Sequence, residues 1–198
     1  MNVAFWFEFA STYSYPAAMR FERLAAERGV AVSWRSFLLA PIFGAQGWND
    51  SPFNIYPAKG RYMWRDLARI CDEHGIPMRR PSQFPRGSLL AARIVAGNPD
   101  AEWIPAFVRA VYRANFADDR DIGSPDTIAS CLAAADQSPD PLLERAAAPE
   151  VKAQLRASTD EAIALGVFGA PSFVAAGELF WGHDRLESAL RWAVSRAT

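Results

Sequence analysis

The stretch Phe9-Ala10-Ser11-Thr12-Tyr13-Ser14-Tyr15-Pro16 decides the fold of this chain because two different patterns meet in it. Before it, residues 3–9 form a nearly continuous apolar run, which is typical of a strand buried on both faces of a sheet. After it, Pro16 suits the first turn of a helix, and apolar residues follow at helical spacing. The sequence therefore predicts a strand-to-helix turn that carries two hydroxyl groups, those of Ser11 and Ser14.

The rest of the chain extends this turn into an α/β architecture. Gly29 is placed to end the helix, and residues 30–37 alternate between apolar and polar side chains, as a strand does. A strand–helix–strand unit makes its strands parallel and its crossover right-handed. Near the other end, residues 172–175 and 178–181 flank the turn Ala176-Gly177 as a hairpin, and a final helix follows. The predicted order is βαβ, a long helical block, and ββα.

The middle of the chain is predicted to contain a loop and several helices. Residues 40–58 are rich in Gly, Pro and aromatic side chains, and we expect a long irregular loop there. Helical spacing and boundary residues then predict helices over about 63–71, 88–96 and 101–116, from 124 onward, and over 151–165.

The composition is that of a globular protein without a general attraction to polyanions. The 198 residues are 51% hydrophobic and carry a net charge of −1, so we expect neither a nucleic acid nor a membrane partner. No run approaches the ~20 apolar residues that span a bilayer, and the start of the chain lacks the features of a signal peptide, which favours the cytoplasm. His74 and His183 have no ligand partners at metal-site spacing, so no metal is expected. Cys71 and Cys131 lie in apolar helical patterns and are expected to be buried free thiols.

The two serines have the spacing of the cysteines in thioredoxin-like redox proteins, where Cys-x-x-Cys stands at a strand-to-helix turn. Oxygen in place of both sulfurs keeps the binding geometry and removes the disulfide chemistry, which suggests a protein that holds another molecule's thiol. A helix N-terminus stabilises a thiolate, and a serine hydroxyl can donate a hydrogen bond to it. We predict that Ser14 is the N-cap and Ser11 the freer hydroxyl; the alternative is that both serines only cap the helix.

Two segments near the C-terminus carry further candidate binding groups. In Gly169-Ala170-Pro171, a cis proline would present the Ala170 backbone N–H and C=O to a peptide-like ligand, while an ordinary trans proline is the alternative. In Gly182-His183-Asp184, a strand turns into the start of a helix. Asp184 therefore either caps that helix or binds a ligand amine.

With these segments in place, the chain resembles the 2-hydroxychromene-2-carboxylate isomerases, which belong with the kappa-class glutathione transferases and DsbA-like oxidoreductases. The matching segments are residues 7–15, 57–63, 167–171 and 181–186. The resemblance implies an α/β, thioredoxin-like fold (βαβ…ββα) with a large all-helical insertion. Residues 1–40 and 166–198 would form the thioredoxin-like domain, and residues 41–165 a loop plus the inserted helical domain.

The same resemblance implies glutathione as the cofactor and a homodimer as the assembly. The residues that it assigns to cofactor binding are Ser11, Asn49 (or its neighbour Asp50), Ala170, Pro171, His183 and Asp184. Ser11, which would also be the catalytic residue, would hydrogen-bond the glutathione sulfur. Ala170 would pair with the cysteinyl part, and His183 and Asp184 would hold the γ-glutamyl end.

Three residues depart from the family pattern. Thr12 stands where Pro is usual, Glu8 where Asp is usual, and His183 where Asn or Ser is usual. Thr12 would change the turn and the helix start, and His183 would add a titratable group beside the cofactor carboxylate. These departures bear on the identity of the substrate more than on glutathione binding.

The resemblance implies a glutathione-dependent isomerase of an aromatic 2-oxo acid, which converts 2-hydroxychromene-2-carboxylate to trans-o-hydroxybenzylidenepyruvate. The thiolate would add reversibly to the conjugated substrate, and rotation and elimination would regenerate glutathione. Two alternatives stay open: a kappa-like transferase that conjugates glutathione to electrophiles, and a non-catalytic glutathione- or peptide-binding module. The candidates for a flat aromatic substrate pocket are Phe43, Trp48, Tyr56, Phe84 and Phe168.

Overall fold

The computed structural model describes residues 1–196, and its sheet has the predicted strands. They are β1 (Asn2–Phe7), β2 (Ala31–Ser36), β3 (Ser172–Ala175) and β4 (Glu178–Trp181). The spatial order is β2-β1-β3-β4, with β1 parallel to β2, β3 antiparallel to β1, and β4 antiparallel to β3. This is the mixed sheet of a thioredoxin-like α/β fold, as the sequence predicted.

Helices surround the sheet and fill the long connection between β2 and β3. α1 (Ser14–Ala26) joins β1 to β2, and α10 (Leu186–Ser195) follows β4. The connection contains α2 (Leu39–Ala45), α3 (Pro52–Ile55), α4 (Pro57–Glu73), α5 (Leu89–Gly97), α6 (Ile104–Phe116), α7 (Pro125–Ala133), α8 (Pro139–Ala146) and α9 (Pro149–Ala164). The all-helical insertion is therefore confirmed. Within residues 1–196, no helix combines the length and the apolar character that a membrane span requires.

The segment 40–58 is more regular than the sequence indicates, because α2 and α3 lie in it. Pro52 occupies the first turn of α3, and the Ser51 side chain accepts a hydrogen bond from the Phe53 N–H at 3.3 Å. Helix α8 was not predicted from the sequence either. It has only eight residues, and Ala146 is the one that is fully buried, so few positions could indicate it.

A hydrophobic cluster connects the sheet with the inserted helices. Phe5 of β1 stacks on Phe173 of β3, with the ring centroids 5.1 Å apart. The same cluster includes Phe107 and Tyr112 of α6 and Leu132 of α7. Because this cluster crosses from β1 to the inserted helices, those helices pack directly behind the end of β1. The division of the chain into two domains remains a prediction.

Candidate active site

The turn between β1 and α1 is closed by backbone hydrogen bonds. The Ser11 N–H donates to the Glu8 carbonyl at 2.9 Å, and the Tyr15 N–H donates to the Thr12 carbonyl at 3.2 Å. Ser11 is partly buried, whereas Ser14 has no exposed surface. The turn therefore holds the Ser11 side chain near the surface and turns the Ser14 side chain inward.

Ser11 contacts the segment that precedes β3. Its hydroxyl donates to the Ala170 carbonyl oxygen at 2.9 Å, although the two residues are 159 positions apart. The Ala170–Pro171 peptide bond is cis, which excludes the trans alternative, and the Gly182 N–H donates to the Pro171 carbonyl at 2.9 Å. Within residues 1–196, the Ala170 N–H has no hydrogen-bond partner. Three of the segments that the sequence singled out thus meet at one place.

Ser14 does not cap α1, and that prediction is wrong. Tyr13 occupies the N-cap position and makes no capping hydrogen bond with its side chain. Ser14 is already inside the first helical turn, so its side chain points into the protein. Its hydroxyl hydrogen-bonds the Ser11 Oγ at 3.0 Å. The alternative in which both serines only cap the helix is excluded by the same contacts.

Thr12 points away from the surface of the turn. Its hydroxyl donates to the Met63 Sδ of α4 at 3.1 Å, and its exposed fraction is 1%. Thr12 therefore packs the turn against α4. Its effect on the turn, relative to the Pro that is usual in the family, remains a prediction.

Tyr13 and His183 form a stacked pair beside the turn. Their ring centroids lie 5.4 Å apart with 9° between the planes, and the Tyr13 hydroxyl donates to the Asp66 Oδ2 at 3.0 Å. The His183 Nδ1 is buried and has no hydrogen-bond partner within the described part of the chain. Burial lowers the pKa of His183, against the opposing effect of Asp184 and Asp66. A neutral imidazole therefore packs on the Tyr13 ring.

Asp184 lies in a short 3₁₀ turn that begins after Gly182. The φ angle of Gly182 is +111°, a backbone conformation that glycine adopts readily. Gly182, not Asp184, occupies the N-cap position of this turn, so Asp184 lies inside it. The Asp184 side chain lies 3.4 Å from the Arg185 guanidinium, and both side chains are more than half exposed. The Asp184 carboxylate is thus accessible to a ligand.

Asn49 and Asp50 lie on the exposed connection between α2 and α3. The Asp50 carboxylate accepts from the Ser51 N–H at 2.6 Å and from the Asn54 side chain at 3.2 Å. The Asn49 side chain is exposed and has no hydrogen-bond partner among residues 1–196. Asp50 therefore supports α3, while Asn49 remains available.

Of the five aromatic residues predicted to share a pocket, only Phe43 and Trp48 form a ring contact with each other within residues 1–196. Phe43 packs on Trp48, Phe84 on Trp64 and Phe168 on Trp181, while Tyr56 is half exposed. A sequence without contact information cannot reveal these pairings.

Another row of side chains lies beside the turn instead. The Tyr13 and Phe53 ring centroids are 6.1 Å apart, and the Lys59 ammonium lies 5.9 Å from the Phe53 centroid. Lys59 forms no ion pair with any carboxylate of residues 1–196. This Tyr13–Phe53–Lys59 row was not predicted from the sequence, although Tyr13 and Lys59 both lie in segments that carry the family resemblance.

A buried carboxyl group, that of Glu8, lies directly behind the turn. It accepts hydrogen bonds from the Ala10 N–H at 2.9 Å and from the Ser88 hydroxyl. The Glu8 backbone carbonyl accepts from the Tyr112 hydroxyl at 2.9 Å as well as from the Ser11 N–H. Burial raises the pKa of Glu8 to about 7, although the hydrogen bonds oppose that rise. The sequence marked Glu8 only as a departure from the family pattern.

The described residues offer no group suited to a metal ion. Within residues 1–196, no three His, Cys, Asp or Glu side chains lie close enough together to hold one. Cys71 and Cys131 are buried free thiols, as predicted.

Comparison with known proteins places this geometry in a family. Residues 2–191 match the family model of the DSBA-like thioredoxin domain. The chain is 29% identical over 189 residues to 2-hydroxychromene-2-carboxylate isomerase of Sphingobium xenophagum, and the alignment covers 94% of both proteins. It is also 29% identical over 203 residues to human glutathione S-transferase kappa 1, with coverage of 94% of this chain and 88% of that protein.

The fold comparison agrees with the sequence comparison. A solved structure of 2-hydroxychromene-2-carboxylate isomerase superposes with a TM-score of 0.88 at 24% identity, covering 100% of this chain and 96% of the other. The resemblance inferred from the sequence is thereby confirmed. The chain belongs to the DSBA-like thioredoxin domain family, and its named relatives include 2-hydroxychromene-2-carboxylate isomerases and kappa-class glutathione transferases.

Proposed function

We propose that the chain is a glutathione-dependent isomerase that converts 2-hydroxychromene-2-carboxylate, an aromatic 2-oxo acid derivative, to trans-o-hydroxybenzylidenepyruvate. The observation that carries the proposal is the 2.9 Å contact between the Ser11 hydroxyl and the Ala170 carbonyl. It brings a hydrogen-bond donor for a thiol next to a backbone segment that can pair with a peptide. The isomerases and the kappa-class transferase among the relatives support this class of reaction.

The residues around the turn fit a small thiol peptide. Ala170 offers a backbone N–H and C=O, the pair of groups with which an extended peptide adds to a strand. Pro171 keeps this backbone in place, and Ser11 stands just before α1, where the helix dipole favours negative charge. The exposed Asp184 carboxylate suits an ammonium group, with His183 packed beside it. Asn49 is proposed as a further contact from the exposed connection.

When bound, glutathione supplies a thiolate that adds reversibly to a conjugated double bond and leaves again unchanged. Ser11 would donate a hydrogen bond to the sulfur, and the N-terminus of α1 would contribute a positive potential there. Both effects stabilise the charged form and so lower the pKa of a bound thiol. Because the turn is fixed, the sulfur and the substrate are held in a defined orientation.

The Tyr13–Phe53–Lys59 row is the proposed substrate side of the site. Its two rings, whose planes are tilted by 59° to each other, offer an apolar surface to an aromatic substrate. Its ammonium group lacks an acidic partner among residues 1–196, so it is available to the carboxylate of the substrate. The row therefore favours an anionic aromatic compound.

Mass balance on glutathione tests the proposal. The purified protein is incubated with 2-hydroxychromene-2-carboxylate and a small amount of glutathione, while the product and the free thiol are both followed. We expect many turnovers per glutathione molecule without loss of thiol. Stoichiometric loss of thiol would identify a conjugating transferase instead, for which the human kappa relative is the supporting observation. Glutathione binding without turnover of chromene or nitroaryl compounds would identify a non-catalytic module.

A homodimer and a cytoplasmic location remain predictions of the resemblance. Light scattering of the purified chain and fractionation of the cells that produce it would check them.

A further inference from the structure

The hydroxyl groups of Ser14 and Ser11 form a series of hydrogen bonds that ends at the Ala170 carbonyl, and the direction of each can be assigned. A carbonyl oxygen only accepts hydrogen bonds, so the proton in the 2.9 Å contact between Ser11 and Ala170 must come from Ser11. A serine hydroxyl has a single proton. The proton in the 3.0 Å contact between Ser14 Oγ and Ser11 Oγ must therefore come from Ser14. The count of protons alone fixes the direction of both hydrogen bonds.

Tyr112 lies behind Ser14, and the direction of its hydrogen bond can also be assigned. The Tyr112 hydroxyl donates to the Glu8 carbonyl at 2.9 Å, and it lies beside the Ser14 hydroxyl. Burial raises the pKa of Tyr112 far above its usual range, so Tyr112 keeps its proton and remains a donor to Glu8. Neither Ser14 nor Tyr112 has exposed surface, so the Ser14 proton is shared between the Ser11 oxygen, at 3.0 Å, and the neighbouring Tyr112 oxygen rather than with bulk water.

We propose that Ser14 is a positioning residue, which keeps the single Ser11 proton on the outer side of the turn. There the proton can be redirected from the Ala170 carbonyl to the sulfur of a bound thiol peptide. A peptide that pairs with Ala170 brings its own N–H to that carbonyl and so releases the Ser11 hydroxyl. The Ser11 O–H bond then rotates toward the sulfur while its oxygen continues to accept from Ser14. No covalent bond is made or broken in this exchange.

This inference rests on the proposed function, because glutathione is the source of the sulfur. A donor to the Ser11 oxygen makes the Ser11 hydroxyl a stronger donor in turn, since linked hydrogen bonds polarise each other. In the Ser14→Ala variant, the Ser11 oxygen loses its donor. We expect the pKa of the bound thiol to rise by about 0.1–0.7 unit, because one linked hydrogen bond strengthens a hydrogen bond to a charged group by about 10–30%.

The experiment titrates glutathione bound to the wild-type protein and to Ser14→Ala, with the ultraviolet absorbance of the thiolate as the signal. The matched control is Ser36→Ala, because Ser36 is also buried and donates to the Ala92 carbonyl at 2.9 Å, outside the turn. We expect the control to keep the wild-type thiol pKa. We also expect the affinity for S-methylglutathione, which has no titratable thiol, to be the same in Ser14→Ala and in the wild type.

An unchanged thiol pKa in Ser14→Ala would overturn the proposal, as would a parallel loss of affinity for S-methylglutathione, which would indicate a purely structural role. If Ser14→Ala does not fold, Ser14→Cys decides, because a thiol donates only weakly. The bound thiol is then titrated through the NMR shift of glutathione labelled at its cysteine, since the added thiol would also absorb in the ultraviolet. The Ser14→Cys variant should raise the thiol pKa in the same direction. A wild-type protein that does not bind glutathione would contradict the proposed function itself, which is a different result from an unshifted pKa in the variant.

Discussion

The Ser11 turn and the neighbouring segment 46–56 are built in opposite ways. Glu8, Thr12 and Ser14 of the turn are buried, and side chains of α4, α6 and the loop before α5 hydrogen-bond to it. Most of segment 46–56 is at least partly exposed, and its regular part is the four-residue helix α3. One region holds its groups in fixed positions, and the adjacent one has few contacts that fix it.

We assign a different role in the proposed reaction to each of these two regions. The groups proposed to act on the thiol stand in the fixed turn, where stabilisation of a charge depends on donors that are already in place. The segment and the start of α4 contribute Phe53 and Lys59, which are proposed to face the substrate. Changes in the turn should therefore alter the thiol, and changes in the segment should alter substrate turnover while leaving the thiol unaffected.

The largest expected effect is that of Glu8→Gln on the pH dependence of the free energy of unfolding. The pKa of Glu8 is about 7 in the folded protein against an ordinary value of 4.5, so the folded state binds more protons than the unfolded state between these values. The carboxyl group therefore does not lower the free energy of unfolding below about pH 4.5. As the pH rises above 7, it lowers the free energy of unfolding by roughly 3 kcal/mol. We expect Glu8→Gln to remove this loss, measured as the change in the free energy of unfolding in urea from pH 5 to pH 8.

The exposed Glu102 provides the control, since Glu102→Gln should keep the wild-type pH dependence. An equal pH dependence in Glu8→Gln and the wild type would mean that Glu8 is not the group responsible.

The next largest effect is expected at Gly60, where α4 lies against α3 in the exposed region. A Cβ at this position would overlap the Phe53 carbonyl oxygen, whereas a Cβ at Gly44 would meet no atom within 4 Å. We expect Gly60→Ala to push α3 away from α4, with a loss of about 1–3 kcal/mol in the free energy of unfolding and a lower kcat/KM. Gly44→Ala should raise the free energy of unfolding by up to about 1 kcal/mol, because alanine favours a helix more than glycine, and it should leave kcat/KM unchanged. The pKa of the bound thiol should be the same in both variants, and a shift in Gly60→Ala would show that the two regions are not independent.

The smallest effect concerns Lys59. Replacing it with Gln removes an exposed charge near the proposed position of the substrate carboxylate, so KM should rise roughly 2- to 5-fold for the chromene acid. KM for an uncharged electrophile should not change. Lys152, the other lysine of the chain, is exposed on α9, and Lys152→Gln is the matched control. A rise in KM for charged and uncharged compounds alike would argue against a role in charge recognition.

Sequence patterns were sufficient for the elements that bury one regular face. The apolar run of β1, the alternation in β2 and the hairpin of β3 and β4 were all predicted, because burial imposes a period on the sequence. Short or shallow elements, such as α3 and α8, have too few buried positions to show such a period.

The details of the site depend on contacts that a local pattern does not contain. Whether Ser14 caps α1 depends on where the helix begins and on its contact with Ser11, and the position of Ser11 depends in turn on Ala170 near the other end of the chain. The surroundings of Glu8 come from Ser88 and Tyr112, which are 80 and 104 positions away. The sequence could name the residues of the turn, but it could not assign their partners.

The pKa of the glutathione thiol in the wild type and in Ser11→Ala is the most direct test of the proposed role of the turn. The thiolate absorbance is titrated with each protein, and circular dichroism verifies that the fold is retained. We predict a pKa below that of free glutathione in the wild type. In Ser11→Ala it should rise by about 1–2 units, because a hydrogen bond to a charged group contributes about 1.5–3 kcal/mol. The same thiol pKa in both proteins would contradict the role assigned to Ser11.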